Sequence, residues 1–184
     1  MQVTLWGVLA ASVAVAALVD RQFAAPAVKL AAQQDKPPLH YRLPAGWEVA
    51  NGSEDDPRIV ALAADPATHR SLAIYLQHFR GPLLTPLDYL QDWGLIADIF
   101  GQSRPEQISP LAVGSVQGVR LIGRTTAQSE QGEYLESEMV VCFVYPNHRA
   151  VTLWLAKRGA WTQADYNLMN LVAASLKMDG VSQQ

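Results

Sequence analysis

The chain has 184 residues, a length that suits one domain together with a shorter segment. Hydrophobic residues make up 49% of it, which is enough to form a buried core. With 14 basic and 17 acidic residues the net charge is −3, and this balance excludes the positive field that binding of nucleic acid requires. The single cysteine, Cys142, excludes an internal disulfide bond, and its apolar neighbours predict a buried side chain.

An uncharged apolar run extends from Val3 to Val19. Its length is close to the lower limit for a membrane-spanning helix and slightly beyond that of a signal-peptide core. Ala25-Pro26-Ala27 is similar to a signal-peptidase cleavage site, whereas the lack of Lys and Arg before the run favours an uncleaved anchor. We predict an apolar helix in residues 1–23, as a signal peptide or an N-terminal membrane anchor. The protein is then exported, and it is secreted, periplasmic or attached to the membrane through this segment.

The domain organisation follows from composition. Residues 24–38 are rich in Ala, Gln and Pro without a sustained apolar period, which is typical of a surface linker. We expect the folded domain to cover residues 39–180 and residues 181–184 to form a tail. Pro, Gly and Asp turns separate the first predicted strands, which lie at residues 40–43, 47–49, 59–64 and 71–79.

Thr85 is the predicted N-cap of the first helix of the domain, because Asp88 stands three residues after it. We expect this helix to end at Gly101. Trp93 and Phe100 lie on one stripe of the helix. An aromatic stripe at helical spacing is typical of a core face, and its alternative role is to line a ligand-binding groove.

The stretch from Val119 to Lys157 contains three alternating apolar runs joined by two short polar turns. This pattern predicts three consecutive antiparallel strands, with no helix inside the span. Polar positions in the first two strands carry opposite charges, and we expect ion pairs between the strands. The residues concerned are Arg120, Arg124, Glu136 and Glu138.

Thr162 and Asp165 have the spacing of a capping box at the start of the last predicted helix. We expect this helix to lie on one face of the sheet and to end at Asp179-Gly180. Its apolar stripe contains Leu168, Leu171, Val172, Ser175 and Leu176.

The sequence contains no recognisable catalytic or cofactor-binding motif. G-x-S-x-G, G-x-x-x-x-G-K and G-x-G-x-x-G are all absent. The histidines are scattered, without the spacing of metal ligands, and the two in predicted turns, at positions 69 and 148, are expected to be solvated. We therefore predict no catalytic residue, no cofactor and no metal, and we expect that the protein is not an enzyme. The four histidines are His40, His69, His78 and His148.

Leu43-Pro44-Ala45-Gly46-Trp47 forms an L-P-x-G-W motif near the start of the domain, and Ser175-Leu176-Lys177 closes the last helix. With paired strands, a helix before the central meander and a closing helix, these motifs resemble the PsbP/Mog1/DcrB-type domain. The resemblance implies an α+β fold in which helices flank a central antiparallel sheet, an α-β-α sandwich. It also implies a mostly non-enzymatic role, because this family includes photosystem accessory proteins, a Ran-binding factor and exported envelope proteins.

These observations lead to a main hypothesis and two alternatives. The main hypothesis is an exported or membrane-anchored module that binds a protein partner. The first alternative is a carrier of a small apolar ligand in a groove beside the Trp93 helix. The second is a hydrolase whose site is assembled from distant residues.

Overall fold

The computed structural model describes residues 29–36, 38–50, 52, 56–100, 104–129 and 132–181. The apolar helix predicted for residues 1–23 lies outside these residues. Within them the helices are α1 (Pro86–Asp92), α2 (Leu95–Phe100) and α3 (Gln163–Ser175). The strands are β1 (Leu30–Lys36), β2 (Leu39–Pro44), β3 (Glu48–Ala50), β4 (Ile59–Asp65), β5 (Arg70–His78), β6 (Gln107–Val113), β7 (Val116–Ser129), β8 (Gly132–Tyr145), β9 (Arg149–Arg158) and β10 (Lys177–Met178).

Two antiparallel sheets form the framework of the described residues. The large sheet has the strand order β3-β4-β5-β9-β8-β7-β6, and the small sheet has the order β1-β2-β10. The long strands β7, β8 and β9 pair with one another in sequence order, and no helix interrupts them. The prediction of a central three-stranded meander over residues 119–157 is therefore confirmed.

One face of the large sheet packs against α3 and the small sheet. Leu168 and Val172 of α3 are buried in the same core as Leu153 of β9 and Leu39 of β2. Leu171, which was expected on the buried stripe, is 41% exposed. Met169 and Ala173 are buried in the same core, so the helix is rotated relative to the predicted stripe.

The opposite face of the large sheet packs against α1 and α2. Tyr89 and Leu90 of α1 and Phe100 of α2 share a second core with Leu121 of β7 and Val140 of β8. Helices therefore lie on both faces of a mostly antiparallel sheet, and the fold is α+β.

The first helical region is two short helices rather than one continuous helix. The predicted cap at its start is confirmed, because the backbone N–H of Asp88 donates a hydrogen bond to the Thr85 side chain at 3.2 Å. The break falls at Gly94, whose φ of 67° lies in the left-handed region. Glycine adopts this conformation without the steric cost of a side chain, so the chain can turn between α1 and α2.

Part of the predicted linker is a strand. β1 lies inside residues 24–38 and pairs with β2, so the ordered structure extends upstream of residue 39. The Arg42 Nε also donates a hydrogen bond to the Ala31 carbonyl at 3.1 Å. The polar composition concealed this strand, because pairing at the edge of a sheet depends on backbone groups and needs no apolar alternation.

The end of α3 also differs from the prediction. The helix ends at Ser175, and β10 then pairs with β2. Asp179 lies beyond this strand, where its N–H donates to the Pro38 carbonyl at 2.9 Å and its side chain pairs with His40 at 2.8 Å. The chain thus leaves the helix earlier than predicted, because the backbone gains pairing with the small sheet.

Candidate binding groove

The helices α1 and α2 cover only part of their face of the large sheet. They pack mainly on β7 and β8, and α1 reaches only the end of β5, where the Tyr89 hydroxyl donates a hydrogen bond to the Gln77 side chain at 2.8 Å. The uncovered area forms an open groove of about 520 Å³, bounded by β3 on one side and by Trp154 of β9 on the other. We call it the β3 groove.

Small side chains form the floor of the β3 groove. The strand register places Ala50, Leu62, Ala73 and Trp154 in one row across β3, β4, β5 and β9. A second row across the same strands contains Glu48, Ala64, Ser71 and Ala156. Residues that are directly opposite in antiparallel strands share a face, so these rows both point into the groove. The short alanine and serine side chains leave the space open.

Two aromatic side chains form the inner wall. The rings of Tyr75 and Trp154 have centroids 6.4 Å apart and planes inclined by 28°, an offset stack. Burial raises the pKa of Tyr75; the carboxylates of Asp56 and Asp98 also raise it, and the Arg58 guanidinium opposes them. The hydroxyl is therefore neutral at physiological pH, and the wall is an uncharged aromatic surface.

A buried acid lies behind this wall. Glu138 of β8 is 2% exposed; it accepts a hydrogen bond from the Trp154 indole N–H and one from the Thr125 hydroxyl at 3.4 Å. Burial raises the pKa of Glu138 to about 7, although the hydrogen bond from Trp154 lowers it. Glu136 contributes a further increase through charge repulsion. The charge of Glu138 is thus sensitive to pH close to neutrality.

The charged groups near the groove are predominantly acidic. Glu48 lines it, and Asp98 lies close enough to Tyr75 to affect its pKa. Asp56 is neutralised by Arg58, because their side chains form an ion pair with an Nη2–Oδ2 distance of 2.8 Å. Beyond Trp154, Glu136 and Arg158 are opposite each other in β8 and β9. Glu48 and Asp98 are the other acidic groups described at the rim; the charge of Asp98 also acts on Arg58, and Glu138 adds a negative charge when it is ionised.

The predicted aromatic stripe is divided between surface and core. Trp93 is 40% exposed and lines a separate depression of about 310 Å³ with Leu84. Phe100 is 1% exposed and packs against Gly123, where a Cβ atom would lie 2.8 Å from its ring. The core interpretation is therefore correct for Phe100, and the two rings do not line one groove.

The expected ion pairs between β7 and β8 are absent from the ion pairs of the described residues. Arg124 instead pairs with Glu106 at 2.7 Å, and Arg120 donates to the Asn170 side chain at 2.8 Å. The register explains the error, because Arg124 is opposite Ser137 while Glu138 is opposite Gly123. A shift of one residue in register exchanges the two faces of a strand, so the arginines and glutamates point to opposite sides.

Other candidate residues have structural surroundings. Cys142 is fully buried, as predicted, and burial raises the pKa of its thiol to about 12. His69 is exposed, but His148 is half-buried against Phe79, with ring centroids 5.6 Å apart, so its predicted solvation is wrong. Among the side chains that the structure describes, no group of three His, Cys, Asp or Glu residues is arranged to hold a metal ion.

Sequence reasoning missed the groove. Tyr75 and Trp154 were placed correctly on strands, but their contact depends on the pairing of β5 with β9. The only signal was the small residues of the neighbouring positions, among which are Ala73, directly opposite Trp154, and Ala64, in the next row of the sheet. Small residues within strands indicate either tight packing or open space, and the sequence alone does not distinguish the two.

No protein-family model matches the chain, and no curated protein sequence matches it either. Solved structures do match. The Saccharomyces cerevisiae Ran-binding protein Mog1p aligns over 83% of this chain and 96% of its own, with a TM-score of 0.58 and 8% identity. The chain has a Mog1-like fold, in agreement with the resemblance drawn from its motifs.

Two bacterial structures are also similar. A Bacteroides thetaiotaomicron protein aligns over 79% of this chain and 47% of its own, with a TM-score of 0.51 and 13% identity. The chain thus spans about half the length of that protein. LpqN, involved in cell envelope biogenesis of Mycobacterium tuberculosis, aligns over 82% of this chain and 91% of its own, with a TM-score of 0.49 and 16% identity.

In residues 29–181, apart from the short gaps, no helix is both long and apolar enough to cross a bilayer.

Proposed function

We propose that this protein is an exported, non-catalytic module that binds a segment of a partner protein in the β3 groove. The uncovered apolar face between β3 and Trp154 is the observation that carries the proposal. Exposed concave apolar surface of this kind is uncommon on proteins that bind nothing, because it is costly to leave in water. The groove also borders an edge strand, which offers backbone groups to a second chain.

Two further observations support the proposal. The uncharged run from Val3 to Val19 is typical of a signal peptide or an anchor, and this supports export. The lining of the groove is mostly apolar; among the described residues it contains the carboxylate of Glu48 and no histidine. This composition supports binding rather than acid–base catalysis. Mog1p, which shares the fold, is a Ran-binding protein, and the architecture is thus compatible with a protein partner.

Selection of peptides provides the test. A random peptide library displayed on phage is selected on the full-length protein, and enriched clones are then measured on two variants. Ala64→Phe fills the floor of the groove. Ala112→Phe is the matched control, because it adds the same side chain to the same face at β6, the opposite edge of the sheet. Clones that bind the wild type and Ala112→Phe but lose binding to Ala64→Phe would support the proposal.

Two results would contradict the proposal. Clones that bind Ala64→Phe as tightly as the wild type would show that the groove is not the binding surface. A selection without enriched clones would contradict binding of a peptide segment.

A small apolar ligand is the second candidate, because the groove volume of about 520 Å³ falls within the range of small-molecule sites. The fluorophore N-phenyl-1-naphthylamine tests it. Enhanced fluorescence with the wild type, lost with Ala64→Phe and retained with Ala112→Phe, in the absence of enriched peptides, would favour the carrier function.

A further inference from the structure

We propose that β3 is a docking strand: an extended peptide pairs with its outer edge and places a Lys or Arg side chain in the groove against Tyr75 and Trp154. The inference rests on the proposed function and specifies the chemistry of the partner segment. It combines three features of the structure, namely an open strand edge, an aromatic wall and an acidic rim.

The two edges of the large sheet differ in their capacity to pair with another chain. β6 contains Pro110, which lacks an N–H group and therefore weakens pairing along that edge. β3 contains no proline, all three of its residues are exposed, and within the described residues it pairs only with β4. Val49 is 47% exposed at its centre. Since no other strand among the described residues pairs with its outer edge, an extended peptide could add to β3 there.

The alternation of β3 determines what such a peptide presents to the groove. Glu48 and Ala50 face the groove, because they are opposite Ala64 and Leu62 on its floor. An added strand repeats this alternation, so every second side chain of the peptide points over the groove. Because β3 is short, backbone pairing alone supplies few hydrogen bonds, and the side chain in the groove must contribute much of the affinity.

The groove has the chemistry for a long cationic side chain. Its alanine-rich floor accommodates an aliphatic stem, and the rings of Tyr75, which is 9% exposed, and Trp154 line the groove where the cation at the end of that stem would lie. Glu48 lies on the rim, and Asp98 acts on Tyr75. Arg58 is engaged by Asp56, and Arg158 lies beyond Trp154 opposite Glu136. The acidic groups described near the groove, Glu48, Asp56 and Asp98, thus outnumber the one guanidinium that acts on Tyr75, that of Arg58, which favours a positive side chain over a carboxylate.

Capped synthetic heptapeptides that alternate Val with a second residue test the inference on the full-length protein. Binding is measured by isothermal titration calorimetry. We expect the Val/Lys peptide to bind at least about tenfold more tightly than the Val/norleucine peptide, which has a similar aliphatic stem without charge. The Val/Glu peptide should not bind detectably. N-methylation of the backbone amides of the Val/Lys peptide should weaken binding by about tenfold or more, because it removes the donors for strand pairing.

Variants distinguish failure of this inference from failure of the proposed function. The Val/Lys peptide should lose binding to Ala64→Phe, keep it with Ala112→Phe, and bind several-fold more weakly to Glu48→Gln. Equal affinity for the lysine and norleucine peptides would overturn the cationic specificity and leave the groove function intact. If the N-methylated peptide, or n-pentylamine alone, bound as tightly as the Val/Lys peptide, strand pairing would not contribute to binding. The groove would then be a site for an amine, and the docking-strand inference would be wrong. Unchanged binding to Ala64→Phe would contradict both proposals.

A second copy of this chain is the remaining candidate for the edge of β3. In sedimentation experiments on the full-length protein we expect no dimer that depends on the groove, that is, no dimer that is lost in Ala64→Phe and kept in Ala112→Phe. Such a dimer would assign the edge of β3 to a second copy and overturn the peptide inference.

Discussion

The indole N–H of Trp154 donates a hydrogen bond to the carboxyl group of Glu138, a side chain that is 2% exposed. The ring of the same tryptophan forms the inner wall of the β3 groove. One residue therefore connects the β3 groove to a buried acid. The arrangement fixes the orientation of the ring, because without this donor the buried carboxyl group would keep, among the described residues, only the weak hydrogen bond from Thr125.

Stability should depend on the ionisation of Glu138. Burial raises its pKa from 4.5 to about 7, so between these values the folded protein holds a proton that the unfolded chain has released. Its contribution is fully present below about pH 4.5 and is lost as pH rises through about 7. Glu138→Gln stays neutral and keeps an acceptor for Trp154, and we expect it to be more stable than the wild type by about 3 kcal/mol at pH 8.

Urea unfolding at pH 5 and pH 8 measures this effect. At pH 5 the two proteins should differ little. Glu133→Gln is the control, because this exposed glutamate is on the same strand. A difference between wild type and Glu138→Gln that is the same at both pH values would contradict the assignment of a raised pKa.

Asp165 should contribute strongly to stability. It is fully buried at the start of α3, with its carboxylate 2.9 Å from Lys157 Nζ and 2.7 Å from Arg70 Nη2. Asp165→Ala would leave the cations without their buried partner, and we expect a loss of about 3–5 kcal/mol in the free energy of unfolding. Asp88→Ala removes the equivalent exposed carboxylate of α1 and should cost only about 1 kcal/mol. Comparable losses for the two variants, in urea unfolding, would show that Asp165 acts as a helix cap alone.

The carboxylate of Asp165 should also make the stability of the fold depend on pH in the acidic range. Burial acts to raise the pKa of Asp165, but hydrogen bonds from Lys157 and Thr162 and the charge of Arg70 outweigh it and lower the pKa. A carboxyl group with a lowered pKa contributes stability above its ordinary range and loses it as pH falls through the folded value. The stability difference between wild type and Asp165→Asn should therefore shrink below about pH 4. A difference that does not change between pH 7 and pH 3 would contradict this linkage.

Replacement by glycine should change the stability of the protein in opposite directions at two histidines that have left-handed backbone conformations. His69 has φ of 49° and is exposed, whereas His148 has φ of 57° and packs edge-on against Phe79. His69→Gly relieves the backbone and loses no packing, so we expect a gain of about 0.5 kcal/mol. His148→Gly also loses the ring contact and should be destabilising. Thermal unfolding of both variants checks the contrast, which would fail if the two changed stability in the same direction.

Export can be tested on the mature protein. The N-terminal residue, determined by mass spectrometry of protein from its native cell, should be Val28 after cleavage or Met1 in a membrane-bound form. Both results are consistent with export. An intact Met1 in the soluble cytoplasmic fraction would contradict it.

The sequence predicted the central part of the fold well. Three apolar runs separated by short polar turns over Val119–Lys157 predicted the meander, because strands that are covered on both faces carry apolar residues at most positions. The caps at Thr85 and Thr162 were also recognisable, since their partners are only three residues away. Local signals were thus sufficient wherever neighbours in the sequence determine the structure.

The features that the sequence did not reveal depend on distant pairing. The partners of Arg120 and Arg124 depend on the register between β7 and β8. The alternation of residues within each strand does not determine this register. β1 was hidden because its pairing uses backbone groups. The groove was hidden because Tyr75 and Trp154 come into contact only when β5 pairs with β9. Its floor also consists of residues without distinctive chemistry.

Hydrogen–deuterium exchange tests the central claim most directly, with the full-length protein free and saturated with a selected groove-binding peptide. We expect slower exchange of the Glu48–Ala50 amides on binding and no change in the Gln107–Val113 amides at the opposite edge. Protection confined to β6, or to the depression beside Trp93, would contradict the assignment of the β3 groove as the binding surface.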